Sequence, residues 1–392
     1  MQKPEKLLNP YYLALFSINL IVSISFSMVS TTISLYVTQL GAVASVAGTV
    51  VGALSVASLC VRPFSGVISD RVERRRLLML SLAIISLSML GYSLTHSIPV
   101  LFVLRITHGV GFSIATTVTM ALVAGTIPDR QMTQGLGYFA LGQTVSTAIA
   151  PSIGLWLGEH WGLGVAFALA SVLLLGAIAL ALFAVRPAPM PEEKRSIRLK
   201  DMIAREALPF CLLSIVVAGA TGLENSFVTL YGQQLGMGNV GWYFTLSALA
   251  LFTARMFGGR LADRSMRTVV ACGLGALGLA FLILGGFGHV AAIAFGVAAL
   301  LKALGLGTVQ PALQAGSLKS VPENRRGAAS CTYYLGTDIG QAFMPMLGGV
   351  VMERMGASTM FGLYAVPVAA AMLFYLLYMN RKQKGAIANG TL

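Results

Sequence analysis

Charge is what this sequence has least of. Asp, Glu, Lys and Arg together make up 10% of 392 residues, and only 14 residues are acidic. Soluble domains carry roughly 25% charged residues, so an ordinary soluble domain is excluded. Cysteine is equally sparse. Cys60, Cys211, Cys272 and Cys331 stand singly in apolar runs. No pair has redox or metal-ligand spacing, and they read as small core residues. No His, Cys and Asp cluster has ligand spacing either, so neither a metal site nor a metalloenzyme is expected. A glycine-rich phosphate loop ending in Lys-Ser or Lys-Thr is missing, which removes ATP as the energy source. Short alternating segments are missing too, which argues against a β-barrel. The first apolar run starts at Tyr11 behind a polar N-terminus and is too long for the core of a cleavable signal peptide.

What fills the chain is hydrophobic: 56% of all residues. An apolar run of about 20 residues spans a bilayer as a helix. The runs and their breaks predict twelve spans, near 11–37, 43–66, 76–95, 98–126, 132–158, 163–185, 208–233, 240–262, 268–286, 290–317, 325–351 and 358–379. The fold class is therefore an all-α integral membrane protein.

Placing the 27 Lys and Arg on this topology gives it a direction. With the N-terminus inside, 22 fall on the inner side and only Arg354 on the outer side. The remaining four, Arg62, Arg105, Arg255 and Lys302, lie within spans. That asymmetry is the positive-inside rule. It predicts cytoplasmic termini and assigns the net charge of +13 to topology rather than to nucleic-acid binding. The longest polar stretch, 186–207, is Pro-rich and then charged. It reads as a cytoplasmic linker between an N-terminal six-helix bundle, 1–185, and a C-terminal one, 208–392.

The second half repeats the first. RPFSGVISDRVER at 62–74 aligns with RMFGGRLADRSMR at 255–267. GQTVSTAIAPSIGLWLGEHWG at 142–162 aligns with GTDIGQAFMPMLGGVVMERMG at 336–356. The two offsets, 193 and 194, are nearly equal and close to half the chain. Two parallel six-helix repeats are a known transporter architecture.

Three motifs carry a family resemblance. The turn after span two holds Gly66, Asp70, Arg71, Arg74 and Arg75. Span four holds Arg105, Gly109 and Gly111. Span five holds Gly142, Pro151 and Gly154, echoed by Gly336, Pro345 and Gly348. In these the chain resembles the major facilitator superfamily over essentially its whole length, and in particular its twelve-span drug:proton antiporter branch. The proline-rich end of span one that is typical of many such exporters is replaced by MVSTTISLYV.

Physical reasoning and resemblance then assign roles. Gly66 lets its helix approach a neighbour closely. Asp70, four residues on and on the same face, can meet the positive end of another helix. The resemblance implies that Gly66, Asp70, Arg71 and Arg74, with Gly259, Asp263 and Arg264 in the repeat, form a conformational latch between the halves. Ionisable groups inside spans are functional candidates by default. A carboxylic acid in an apolar site holds its proton toward neutral pH, as a proton carrier must. Glu224 and Asp338 are the acids well inside predicted spans, and with Arg105 they are the proton-coupling candidates. For Arg105 the alternative is an anchor to backbone carbonyls. Asn19, Arg105, His108, Glu224, Asn225, Lys302, Gln310 and Tyr334 are the candidate cavity residues. His108 is either a titrating group or a packing residue.

The expected protein is a monomeric proton-coupled secondary transporter of the cell's inner membrane, not an enzyme. It exports a small drug-like, zwitterionic or amphiphilic molecule, with the proton gradient in place of a cofactor. A proton-coupled importer and a non-transporting sensor of the same fold are the alternatives.

Overall fold

The computed structural model describes residues 9–127, 132–185, 203–287, 291–322 and 326–388. The side chains of 66–67, 70–71, 124, 132–137, 140, 256–264, 291, 326–327 and 382–388 lie outside the described set. Among the described residues the chain is helical throughout, apart from short turns. The first six helices are α1 (Pro10–Gln39), α2 (Ala44–Arg71), α3 (Arg74–Leu94), α4 (Ile98–Thr126), α5 (Met132–Trp161) and α6 (Leu163–Ala184). A 3₁₀ turn, Arg205–Ala207, precedes α7 (Leu208–Gln234). Then follow α8 (Gly241–Arg264), α9 (Met266–Gly286), α10 (Ala291–Lys319) and α11 (Arg326–Ala388). Nine stretches among the described residues are long and apolar enough to cross a membrane, with Ala328–Arg381 counted once.

Local chemistry sets several helix starts. The Asn9 side chain accepts from the Tyr12 amide at 2.9 Å, with Pro10 in the first turn of α1. Asparagine as the cap and proline just inside are the favoured residues there. Glu73 caps α3, accepting from the Arg75 amide at 3.2 Å and pairing with Arg76 Nε at 3.1 Å. Ser265 caps α9 through the Thr268 amide at 3.4 Å.

Twelve spans were expected and eleven helices are found among the described residues. The difference lies in α11, whose 63 residues cover both of the last two expected spans. At 1.5 Å per residue a straight helix of that length would reach about 95 Å, three times the hydrocarbon thickness. It is not straight. Gly356 has φ 84° and ψ 162°, a non-helical geometry at which two helices meet with no loop between them. That region of backbone space is open to glycine and costs other residues about 1–3 kcal/mol. Gly356→Ala should therefore lower stability by about that amount. A thermal unfolding scan that leaves it level with the wild type would show the backbone turning elsewhere.

The chain divides into two compact units. The first holds α1–α6 together with the segment Asn239–Thr245. Within it α2 packs on α4, α1 on α5 and α6, and α3 on α4 and α6. The second holds the rest of α8 with α7 and α9–α11. Within it α7 packs on α11, and α9 on α10 and α11. The pairs α1–α5 and α3–α4 thus have counterparts in α7–α11 and α9–α10. Small residues make these contacts close. A methyl group on Gly109 of α4 would strike the Leu54 carbonyl and the Ala57 side chain of α2. Without a hydrophobic drive between lipid-embedded helices, such close packing is a main source of cohesion.

Candidate functional site

In the second unit one acid and one base are buried together. Glu224 sits nearly three turns from the C-terminal end of α7, in a stretch whose residues from Gly222 to Gly232 are buried except for Asn225. It is 1% exposed and forms an ion pair with the ammonium of Lys302 on α10, itself 8% exposed. Lys302 Nζ also donates to the hydroxyl of Ser247 on α8, at 2.9 Å. Three helices thus supply one anion, one cation and one hydroxyl. A lone buried charge costs several kcal/mol, and pairing with good hydrogen bonding offsets that cost. The pair is consequently stable as it stands and sensitive to anything that neutralises one member.

The other polar residues predicted for this half are spread more widely. Asn225 and Asp338 are half-buried and Tyr334 is 41% exposed. The Gln310 carbonyl accepts from the Tyr333 hydroxyl at 3.3 Å, and Gln314 donates to the Tyr334 hydroxyl at 3.0 Å. These bonds tie α10 to α11. The antiporter-type residues Gly336 and Gly348 lie against α7, where a Cβ on Gly336 would meet the Cys211 carbonyl and one on Gly348 the Leu223 side chain. Pro345 packs close to Gly222.

In the first unit Arg105 and His108 lie one turn apart on α4. Arg105 is 2% exposed. Its Nε donates to the Val50 carbonyl at 3.2 Å and one terminal nitrogen to the Val51 carbonyl at 3.0 Å. It therefore clamps α4 to α2, the carbonyl-anchor geometry. His108 is fully buried, with Nδ1 at 3.1 Å from the Tyr92 hydroxyl and its ring against Phe26 and Phe112. Asn19, half-buried on α1, lies near Gly142 of α5. Gly154 of the same motif faces Met28 and Thr32 of α1, and Pro151 is buried.

Gly66, Asp70, Arg71, Gly259, Asp263 and Arg264 are described by their backbone alone, in the last turns of α2 and α8. Of the latch residues Arg74 is described, and its Nε donates to the Ser69 carbonyl at 3.4 Å across the α2–α3 turn. Beside it Arg75 donates to the Leu182 carbonyl near the end of α6.

Sequence reasoning passed over three contributors. Ser247 has no signal of its own among many intramembrane serines. Tyr92 looked like one more aromatic in an apolar run. Glu73 was legible as an N-cap, since an acid just before a helix meets unbonded amides.

Comparison with known proteins agrees with this architecture. The sequence model of the Major Facilitator Superfamily matches residues 15–240 and again 210–391. The chain is 26% identical over 335 residues to the uncharacterized MFS-type transporter YhhS of Escherichia coli (strain K12), covering 83% of this chain and 82% of that one. It is 25% identical over 373 residues to multidrug resistance protein MdtG of Klebsiella pneumoniae (strain 342), covering 90% and 89%. Over 234 residues it is 25% identical to the staphylopine export protein of Staphylococcus aureus (strain Mu50), covering 56% and 57%. Among solved structures, the nucleoside transporter NupG superimposes with a TM-score of 0.82 at 11% identity, over 94% of this chain and 99% of that one. A bacterial homolog of the human lysosomal transporter Spinster does so at 0.80 and 15%, over 95% and 97%. All of these are transporters rather than enzymes.

Proposed function

The chain belongs to the Major Facilitator Superfamily, and from that premise we propose that it is a proton-coupled secondary transporter exporting a small organic molecule by alternating access. The observation that carries the reading is the buried Glu224–Lys302 pair with Ser247. A carboxylate held in that place is a single seat for a cation. Lys302 fills it at rest. A proton can take it by neutralising the acid, and so can the cationic group of a substrate. Proton and substrate cannot hold it together, and that mutual exclusion is the condition for antiport.

Export is supported by the names of two relatives, a multidrug resistance protein and a staphylopine export protein. The substrate is accordingly drug-like, zwitterionic or amphiphilic. The two arms of α11, counted separately, give the twelve-span arrangement, in the inner membrane with both termini cytoplasmic. The Gly-Asp-Arg turns at 66–74 and 259–264 take the latch role, and Asp338 is the second candidate for the proton. The protein works as a monomer in this reading.

The test uses purified protein in liposomes that enclose a pH-sensitive dye. A proton gradient is imposed and cationic, zwitterionic and anionic compounds are added in turn. Proton movement that appears with one compound class, with that compound moving the opposite way, is expected. Compound transport with no proton movement would overturn the coupling. Movement of both in one direction would replace export with symport.

A further inference from the structure

From the first unit we infer a second binding site, for a small monovalent anion, at Arg105 and His108. Arg105 uses two of its three nitrogens on the Val50 and Val51 carbonyls, and Nη1 has no hydrogen-bond partner. His108 uses Nδ1 on Tyr92, and Nε2 has no partner. Both residues are at least 98% buried, and they stand on one face of α4. A buried polar atom left without a partner is disfavoured, and a buried charge without a counter-charge more so.

No carboxylate among the described side chains of this half reaches Arg105. Its acids are Glu5, Asp70, Glu73, Asp129 and Glu159. Glu5 and Asp129 lie outside the described residues. Asp70 is 19 residues beyond Val51 on the same helix, about 29 Å away at helical rise. Glu73 caps α3 and pairs with Arg76. Glu159 is exposed and accepts from Asn239. The Val50 and Val51 carbonyls carry only partial charge. The guanidinium thus has hydrogen bonds but no counter-ion among the described residues of the unit.

The tautomer needed is available. Arg105 lies beside the Tyr92 hydroxyl and, having no lone pair to offer, takes no proton from it. The hydroxyl proton has two acceptors within reach, the Leu104 carbonyl at 3.2 Å and His108 Nδ1 at 3.1 Å; an anion at the site selects the second, which places the ring hydrogen on Nε2. Arg105 Nη1 and His108 Nε2 become two donors of one turn of helix, walled by the stacked pair Phe26 and Phe112, whose centroids are 4.6 Å apart. Charge-assisted donors in a dry site suit a halide or a carboxylate group. The occupant is either a resident inorganic ion or the acid group of the substrate. The site stands independently of the direction of transport and of the proton seat at Glu224.

The test is thermal unfolding of the full chain in nanodiscs at fixed ionic strength, with sodium gluconate exchanged for sodium chloride or sodium formate. The midpoint should rise saturably with chloride or formate. Half-saturation should move at least tenfold higher in His108→Phe, which leaves the Arg105 anchor in place. The effect should vanish in Arg105→Gln and persist in Lys302→Gln. A response to chloride identifies a resident halide, and a response to formate alone identifies a substrate acid group. Identical behaviour in all three salts, an unchanged half-saturation in His108→Phe, or loss of the effect in Lys302→Gln instead overturns the site.

Discussion

Replacing Glu224 with glutamine should abolish compound-dependent proton flux and lower stability by about 3 kcal/mol. Glutamine keeps the shape and a hydrogen-bonding oxygen but cannot exchange a proton. The stability loss comes from Lys302, which keeps Ser247 at 2.9 Å but loses its carboxylate; breaking a buried pair from one side costs about 3–5 kcal/mol. The two effects separate in the double variant Glu224→Gln with Lys302→Met. Removing both charges should return stability to within about 1 kcal/mol of the wild type, because an apolar replacement of a whole pair is often neutral. Flux should stay absent. Thermal unfolding and the pH-dye assay read the two quantities on the same preparations. Flux surviving in Glu224→Gln would move the proton to Asp338. A double variant no more stable than the single one would mean that the ion pair is not what holds α7 and α10 together.

The residues of that pair show where sequence reasoning reaches and where it stops. Each member was legible alone, because an ionisable group in a long apolar run stands out against its surroundings. Their partnership was not, because they are 78 residues apart and only helix packing decides which faces meet. Arg105 illustrates a different limit. Its partners, the Val50 and Val51 carbonyls, are backbone groups, and every residue has one, so no sequence pattern marks them. The helices themselves were legible almost throughout, since length and hydropathy suffice for a span. The exception is instructive. The last two expected spans are joined at Gly356 without a loop; the repeat marks that glycine as the partner of Gly162, and both have positive φ, but the sequence does not show that no loop follows.

Gly340→Ala should be among the most damaging single substitutions in the protein, with a loss of about 3 kcal/mol or more. A Cβ at Gly340 of α11 would meet the Ile215 carbonyl oxygen, the Gly219 amide nitrogen at 2.8 Å and the Ile215 carbonyl carbon at 3.0 Å. All three are main-chain atoms of α7, so no rotamer change can make room and the helices must part. One turn earlier, Gly336 faces the Cys211 carbonyl in the same way. Overpacking a well-fitted contact typically costs 1–3 kcal/mol, and more where backbone must move. Gly348 is the internal control. A methyl group there would meet chiefly the tip of the Leu223 side chain, which can rotate aside, so Gly348→Ala should cost about 1 kcal/mol or less. The measurement is the unfolding midpoint of both variants in the same detergent. Equal losses at the two positions would sink the argument from backbone contact. Because α7 also carries Glu224, parting it from α11 should weaken transport even in folded Gly340→Ala protein.

Glu224 and Lys302 together carry no net charge, and this bears on how membrane voltage acts on the protein. Moving one elementary charge through 100 mV involves about 2.3 kcal/mol. With the acid ionised and a zwitterionic substrate in the seat, the site still carries no net charge, so under the proposed coupling the electric field neither drives nor opposes the substrate-loaded step. Protonating Glu224 leaves the charge of Lys302 uncompensated and makes the return step voltage-dependent. One buried pair therefore divides the cycle into an electrically silent half and an electrically driven half, and a cell that loses its membrane potential but keeps its pH difference would retard only the second.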